Sequence, residues 1–216
     1  MKKLFCSFAV LTALAITGTA RAQFFPGVTL EYQSVDALSV AALDQTVYLG
    51  IAGPYAAFAP ASGVLGFDDY DSIAPTPTFN LTRFQFVGGV RFSGNVAPLN
   101  RALQFEFYDS GANLINTFVV AFPTSGDFIW TITFGTLLSV PSDGFVQART
   151  LGNSTGRWFL TTSPPVVGSN NFSVGGFGGI YNHAFGMVAS VPEPGPIALL
   201  MSIATLGIGL AARRRR

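Results

Sequence analysis

The chain has 216 residues and a formal net charge of +1, but both lysines and five of the ten arginines lie near its ends. Between Gln23 and Ser190 five arginines meet ten carboxylates, a net of −5, which excludes the basic footprint of a nucleic-acid binder. The one cysteine, Cys6, sits in the apolar start, so the body has neither a disulfide nor a thiol to serve as nucleophile or metal ligand.

In chain order the first element is an export signal. Lys2 and Lys3 form a positive start, residues 4–18 form an apolar stretch, and Ala20-Arg21-Ala22 gives the small-x-small pattern of signal peptidase. Export through the Sec machinery and cleavage after Ala22 are expected, with residues 1–22 as the signal peptide. Residues 23–190 then form one domain, large enough for a core without covalent reinforcement.

That body reads as β. A strand is expected at residues 28–32. Residues 36–61 are alanine-rich, and a short helix at 35–43, low-complexity packing or further strand fit them equally well. Within 79–92, Phe84 and Phe86 alternate with Arg83, Gln85 and Val87 before Gly88-Gly89. Leu103, Phe105 and Phe107 alternate with Gln104, Glu106 and Tyr108, the period of a half-buried strand. Asp109-Ser110-Gly111-Ala112 reads as a tight turn into residues 114–122, which makes a hairpin. Residues 128–134 are β-branched and aromatic. A turn at 141–144, strands at 145–149, 157–162 and 183–188, and a glycine-rich loop at 168–179 complete the body. Short strands separated by Gly, Asp and Pro predict an all-β, antiparallel β-sandwich, jelly-roll-like in connection.

Chemistry is sparse. His183 is the only histidine, and no Gly-x-Ser-x-Gly elbow accompanies it, so a catalytic triad is not expected. One histidine and no body cysteine exclude a structural zinc site. Asp68, Asp69 and Asp71 form the densest acidic cluster; on a loop their oxygens suit a calcium ion, although EF-hand spacing is absent. No other cofactor is expected. Glu106 and Asp109 are the nearest approach to a glycosidase carboxylate pair, but Glu106 alternates outward and nothing places the two across a cleft. Tyr70, Tyr108 and Trp158 are candidates for stacking on sugar rings if exposed. Asn80, Asn153 and Asn171 begin glycosylation sequons, a pattern with many false positives.

The end of the chain is the most specific segment. Ser190 leads into Pro192-Glu193-Pro194, residues 197–212 are almost wholly apolar, and Arg213, Arg214, Arg215 and Arg216 close the chain. Sixteen residues of helix span roughly 24 Å, short of the ~30 Å hydrocarbon core. The arginines fit a cytoplasmic end under the positive-inside rule. A C-terminal transmembrane helix at 197–212 with a tail at 213–216 is therefore expected.

This order resembles the PEP-CTERM sorting signal over residues 191–216. The same tail is also called an ice-binding protein C-terminal domain, a name that carries no activity to the body. From Phe86-Val87-Gly88-Gly89-Val90 through Phe107-Tyr108-Asp109, Trp130-Thr131-Ile132, Trp158-Phe159-Leu160 and Asn182-His183-Ala184, the body is also similar to those of other PEP-CTERM proteins, a likeness that implies a fold grouping only. The resemblance implies handling by an exosortase-type membrane enzyme and an exopolysaccharide or biofilm setting. The expected product is a non-enzymatic exported protein, held in the inner membrane and then at the cell surface or outside. A carbohydrate-binding module is the alternative, and a hydrolase of matrix polysaccharide the third reading.

Overall fold

The computed structural model describes residues 18–21, 27–35, 45–56, 58–170 and 181–190. All regular structure in them is strand, apart from one 3-10 turn at Pro98–Arg101. In order the strands are β1 (Gly18–Arg21), β2 (Val28–Ser34), β3 (Thr46–Gly50), β4 (Tyr55–Ala56), β5 (Val64–Asp71), β6 (Thr78–Arg91) and β7 (Ala102–Asp109). They continue with β8 (Leu114–Ala121), β9 (Phe128–Pro141), β10 (Asp143–Thr150), β11 (Thr155–Trp158), β12 (Leu160–Thr161), β13 (Asn182–His183) and β14 (Phe185–Ala189).

Every strand pairing is antiparallel. A seven-stranded sheet runs β1-β2-β9-β6-β14-β3, with β11 also on β6; a four-stranded sheet runs β5-β10-β7-β8; a small sheet runs β13-β12-β4. The chain changes sheet at Ser142, the single residue between β9 and β10, which is where Pro-Ser-Asp-Gly predicts a turn.

Phenylalanines joined by period two hold the large sheets together. Phe84 and Phe86 of β6 point at Phe105 and Phe107 of β7 and Phe118 of β8, all within one buried cluster. Phe84 meets Phe105 at 4.9 Å between ring centroids and Phe118 at 5.7 Å, edge-on or tilted as ring quadrupoles favour. Each such side chain contributes about 1.5–3 kcal/mol through burial, so the aromatic layer stands in for the absent disulfides. Trp130 is fully enclosed and donates its indole N–H to the Gly88 carbonyl at 3.0 Å. Gly88 must be glycine for a further reason: a Cβ there would lie 2.2 Å from the carbonyl oxygen of Arg157 on β11.

The expected hairpin is present, with Phe105 opposite Phe118, and the turn is closed by the Asp109 carboxylate accepting the Asn113 N–H at 2.8 Å. The stretch 157–162 is divided: β11 joins β6, β12 joins the small sheet, and Phe159 between them donates its N–H to Val87 at 2.9 Å. The alanine-rich region holds β3 and β4; a helix at 35–43 falls almost wholly outside the described residues. The acidic segment expected as a loop is the strand β5, because Asp68 and Tyr70 alternate into the interior while Phe67 and Asp69 point away. Ala20 lies on β1, the outer strand on β2, inside the segment expected to be cleaved. Ala22, Pro192, Glu193, Pro194 and Arg213, Arg214, Arg215 and Arg216 lie outside the described residues, as does the apolar span 197–212. Among the described residues no helix is long and apolar enough to cross a membrane.

Candidate functional site

The outer face of the four-stranded sheet carries an organised polar cluster. Val146 of β10 lies opposite Phe107 and Asp68, all on the interior side, so their neighbours in sequence point outward. Three rows result. Asp69, Phe145, Tyr108 and Leu114 form one; Phe67, Gln147, Glu106 and Thr117 form the next; Arg149 and Gln104 lie beside each other in the third.

Glu106 is the hub. It is only 5% exposed although it faces away from the core. Its Oε1 accepts Gln104 Nε2 at 2.5 Å and lies 3.7 Å from Arg149 Nη1. Its Oε2 accepts the Tyr108 hydroxyl and Gln147 Nε2, both at 2.8 Å. A carboxylate offers about four acceptor positions; three are taken by these hydrogen bonds, and Arg149 adds an ion pair. Burial and the adjoining Glu106 carboxylate both push the Tyr108 phenol up, so it stays protonated and keeps donating. Glu106 was expected to be an ordinary surface carboxylate; its burial comes from three side chains folding over it.

The arrangement suits binding better than bond cleavage. A glycosidase acid must reach a glycosidic oxygen, whereas the Glu106 oxygens are taken up by their own sheet. Asp109 is at the far end of β7, engaged with Asn113 on the hairpin turn, which holds its carboxyl below the usual range. What the face offers outward is aromatic. Phe67, Tyr108 and Phe145, with Ala112 and Gln147, line an open groove of about 480 Å³. Of the three aromatics named as stacking candidates, Tyr108 is here, while Tyr70 and Trp158 are core residues.

Asp68, Asp69 and Asp71 are not brought together. Alternation along β5 sends Asp68 inward and the other two outward, and among the described residues no three metal-capable side chains converge. Asp68 instead joins a second, buried cluster. Its Oδ2 accepts the His183 backbone N–H and its Oδ1 accepts the Asp69 N–H at 3.0 Å, which ties β13 to β5. Burial drives its carboxyl up to about 8, outweighing the lowering effect of those N–H donors. The His183 ring stacks on Trp158 at 4.2 Å. Burial pushes it down to about 4, against a smaller opposite pull from the carbonyls of Trp158 and Phe159. It fits because residue 66 is glycine: a Cβ there would lie 2.1 Å from His183 Nε2. Nearby, Tyr48 accepts Asn170 Nδ2 at 3.0 Å. Near pH 7 the imidazole is neutral and the Asp68 carboxyl largely protonated, and the two residues are joined through the His183 backbone N–H, which suits a buried joint.

Among the described residues three of the five arginines of the body are paired with carboxylates. Arg91 and Arg157 both clamp Asp127, the latter at 3.2 Å, and Arg149 faces Glu106. Asn80 and Asn153 are exposed on β6 and on the turn before β11; Asn171 lies outside the described residues. The sequence signalled half of the Glu106 cluster, through the Gln104-x-Glu106-x-Tyr108 alternation. Phe145-x-Gln147-x-Arg149 on β10 carries the same alternation and is the signal for the other half. No family model matches the chain, and no curated protein or solved structure matches it either.

Proposed function

We propose that this chain is an exported, non-enzymatic protein of the cell envelope or extracellular matrix whose jelly-roll-like domain binds carbohydrate on the outer face of its four-stranded sheet. The observation that carries the reading is Glu106, hydrogen-bonded by Gln104, Tyr108 and Gln147 and ion-paired with Arg149. A carboxylate used this way fixes a platform. It holds the Tyr108 ring and two amides in place before a ligand arrives, which lowers the ordering cost of binding. Sugar rings have apolar faces and hydroxyl rims, and aromatic rings beside amides match both.

The delivery route rests on the two ends of the sequence. Residues 1–22 act as the export signal. Residues 197–212 form the transmembrane helix, halted by Arg213 to Arg216, and Pro192-Glu193-Pro194 is the element presented to an exosortase-type enzyme. The span is short, which suits a transient hold before transfer to the surface. Cleavage after Ala22 removes β1 and leaves β2 as the sheet edge.

Two experiments test the two parts. A panel of soluble polysaccharides run through affinity gels should retard the protein with at least one polymer, and Tyr108→Ala should abolish the retardation. A panel with no retardation, or a Tyr108→Ala protein retarded like the parent, removes the binding reading. Fractionation with and without the exosortase tests the route: an intact tail held in the inner membrane of both strains refutes it.

A further inference from the structure

The same face carries a charge pattern that narrows the ligand, an inference that rests on the carbohydrate reading above. Asp69 lies opposite Phe145, Asp71 lies opposite Asp143, and all point to the side of Glu106. Four carboxylates and one arginine, Arg149, therefore share this surface, a net of −3. Asp71 and Asp143 face each other directly across two strands, an arrangement of like charges that opposes pairing.

The hydrogen-bonding sense points the same way. Gln104 and Gln147 each spend an Nε2 donor on Glu106, which turns each amide oxygen away from the carboxylate. The two amide oxygens thus add acceptors to the platform, and Arg149 is its one cationic donor. An anionic sugar brings more acceptors and more negative charge; a sugar amine brings three donors and the opposite charge. A protonated amine also gains from the faces of Phe67 and Tyr108, which line the groove.

We infer that the Glu106 face selects amine-bearing sugar polymers, made of hexosamine units with free amino groups, over neutral glycans, and rejects polyuronates. The preference is electrostatic, so it belongs to the carboxylates that share the groove's face, whereas the stacking on Phe67, Tyr108 and Phe145 is shared by any sugar.

The test is calorimetric titration of the full-length protein in a sugar-free zwitterionic detergent with three oligosaccharides of equal length: a glucosamine, a glucose and a galacturonic acid hexamer. The glucosamine hexamer should bind about three- to tenfold tighter than the glucose hexamer at low salt, as partly screened charge pairs allow. The gap should close at about 0.5 M salt, where the screening length falls to a few ångströms. The galacturonic acid hexamer should not bind. The double variant Asp71→Asn, Asp143→Asn, altered only at exposed positions, should keep the glucose affinity and narrow the gap. Equal glucose and glucosamine affinities at every salt concentration, or tightest binding of the uronate, overturn the charge inference and leave the carbohydrate reading standing. Binding of none of the three overturns both.

Discussion

Replacing Asp68 by asparagine gives the sharpest test of the buried cluster, because the shape of a pH profile is at stake. Asp68 is 1% exposed, and its carboxyl is raised from 3.8 to about 8. Between those values the unfolded chain releases a proton that the fold retains, so stability falls as pH rises, by ~1.4 kcal/mol per pH unit. His183 is 2% exposed and lowered from 6.5 to about 4. Between these values the unfolded chain binds a proton that the fold refuses, so stability rises with pH at the same rate. The two slopes cancel from about pH 4 to 6.5. Above 6.5 only Asp68 acts, and the protein should lose roughly 2 kcal/mol by pH 8, or about 4–8 °C in melting temperature for a domain of this size. Asp68→Asn removes one slope. Its stability should climb by about 3 kcal/mol from pH 4 to 6.5 and then stay level to pH 8. The amide places an N–H against one of the N–H groups of Asp69 and His183, a penalty of about 1–3 kcal/mol that does not depend on pH. Urea unfolding followed by the fluorescence of Trp130 and Trp158, both buried, reads these profiles. A parent profile level from 6.5 to 8, or a variant that declines there as steeply as the parent, refutes the argument.

Three other outcomes follow from particular contacts. Gly66→Ala drives a methyl into the His183 ring and should cost about 1–3 kcal/mol in urea unfolding; an unchanged midpoint would show that β13 is not packed on β5. Residues 23–190 expressed alone should fold cooperatively, since β1 pairs only with β2 at the sheet edge, and a chain that unfolds without residues 1–22 contradicts the cleavage site after Ala22. Millimolar calcium should move the melting temperature by less than about 1 °C, since calcium takes six to eight oxygen ligands and Asp68 points away from Asp69 and Asp71; a rise of several degrees would reinstate a site there.

The parts of the fold that were legible are those where one face repeats one chemistry. Phe84-x-Phe86 and Leu103-x-Phe105-x-Phe107 announce strands because every second side chain enters the aromatic core. β5 was hidden because aspartate is depleted in strands. Its place in the sheet depends on Tyr70 reaching the core and Asp68 capping His183, 115 residues away. The site was half legible for the same reason. Gln104, Glu106 and Tyr108 sit on one strand and alternate visibly. Gln147 is 41 residues from Glu106; it and Arg149 join through the pairing of β10 with β7, and Phe67 through that of β5 with β10. Tyr70, Tyr108 and Trp158 look alike in sequence; strand register alone sends two inward and one to the surface.

The central claim is that the Glu106 face is the binding surface, and nuclear magnetic resonance tests it most directly. Nitrogen-15-labelled protein, residues 23–190, is titrated with the polysaccharide fragment that binds best. The side-chain amide signals of Gln104 and Gln147 and the backbone signals around Phe67, Tyr108 and Phe145 should shift together and saturate, while those of Asn182 and His183 stay fixed. Saturating shifts on the seven-stranded sheet, with the Gln104 and Gln147 amides unmoved, would contradict the account.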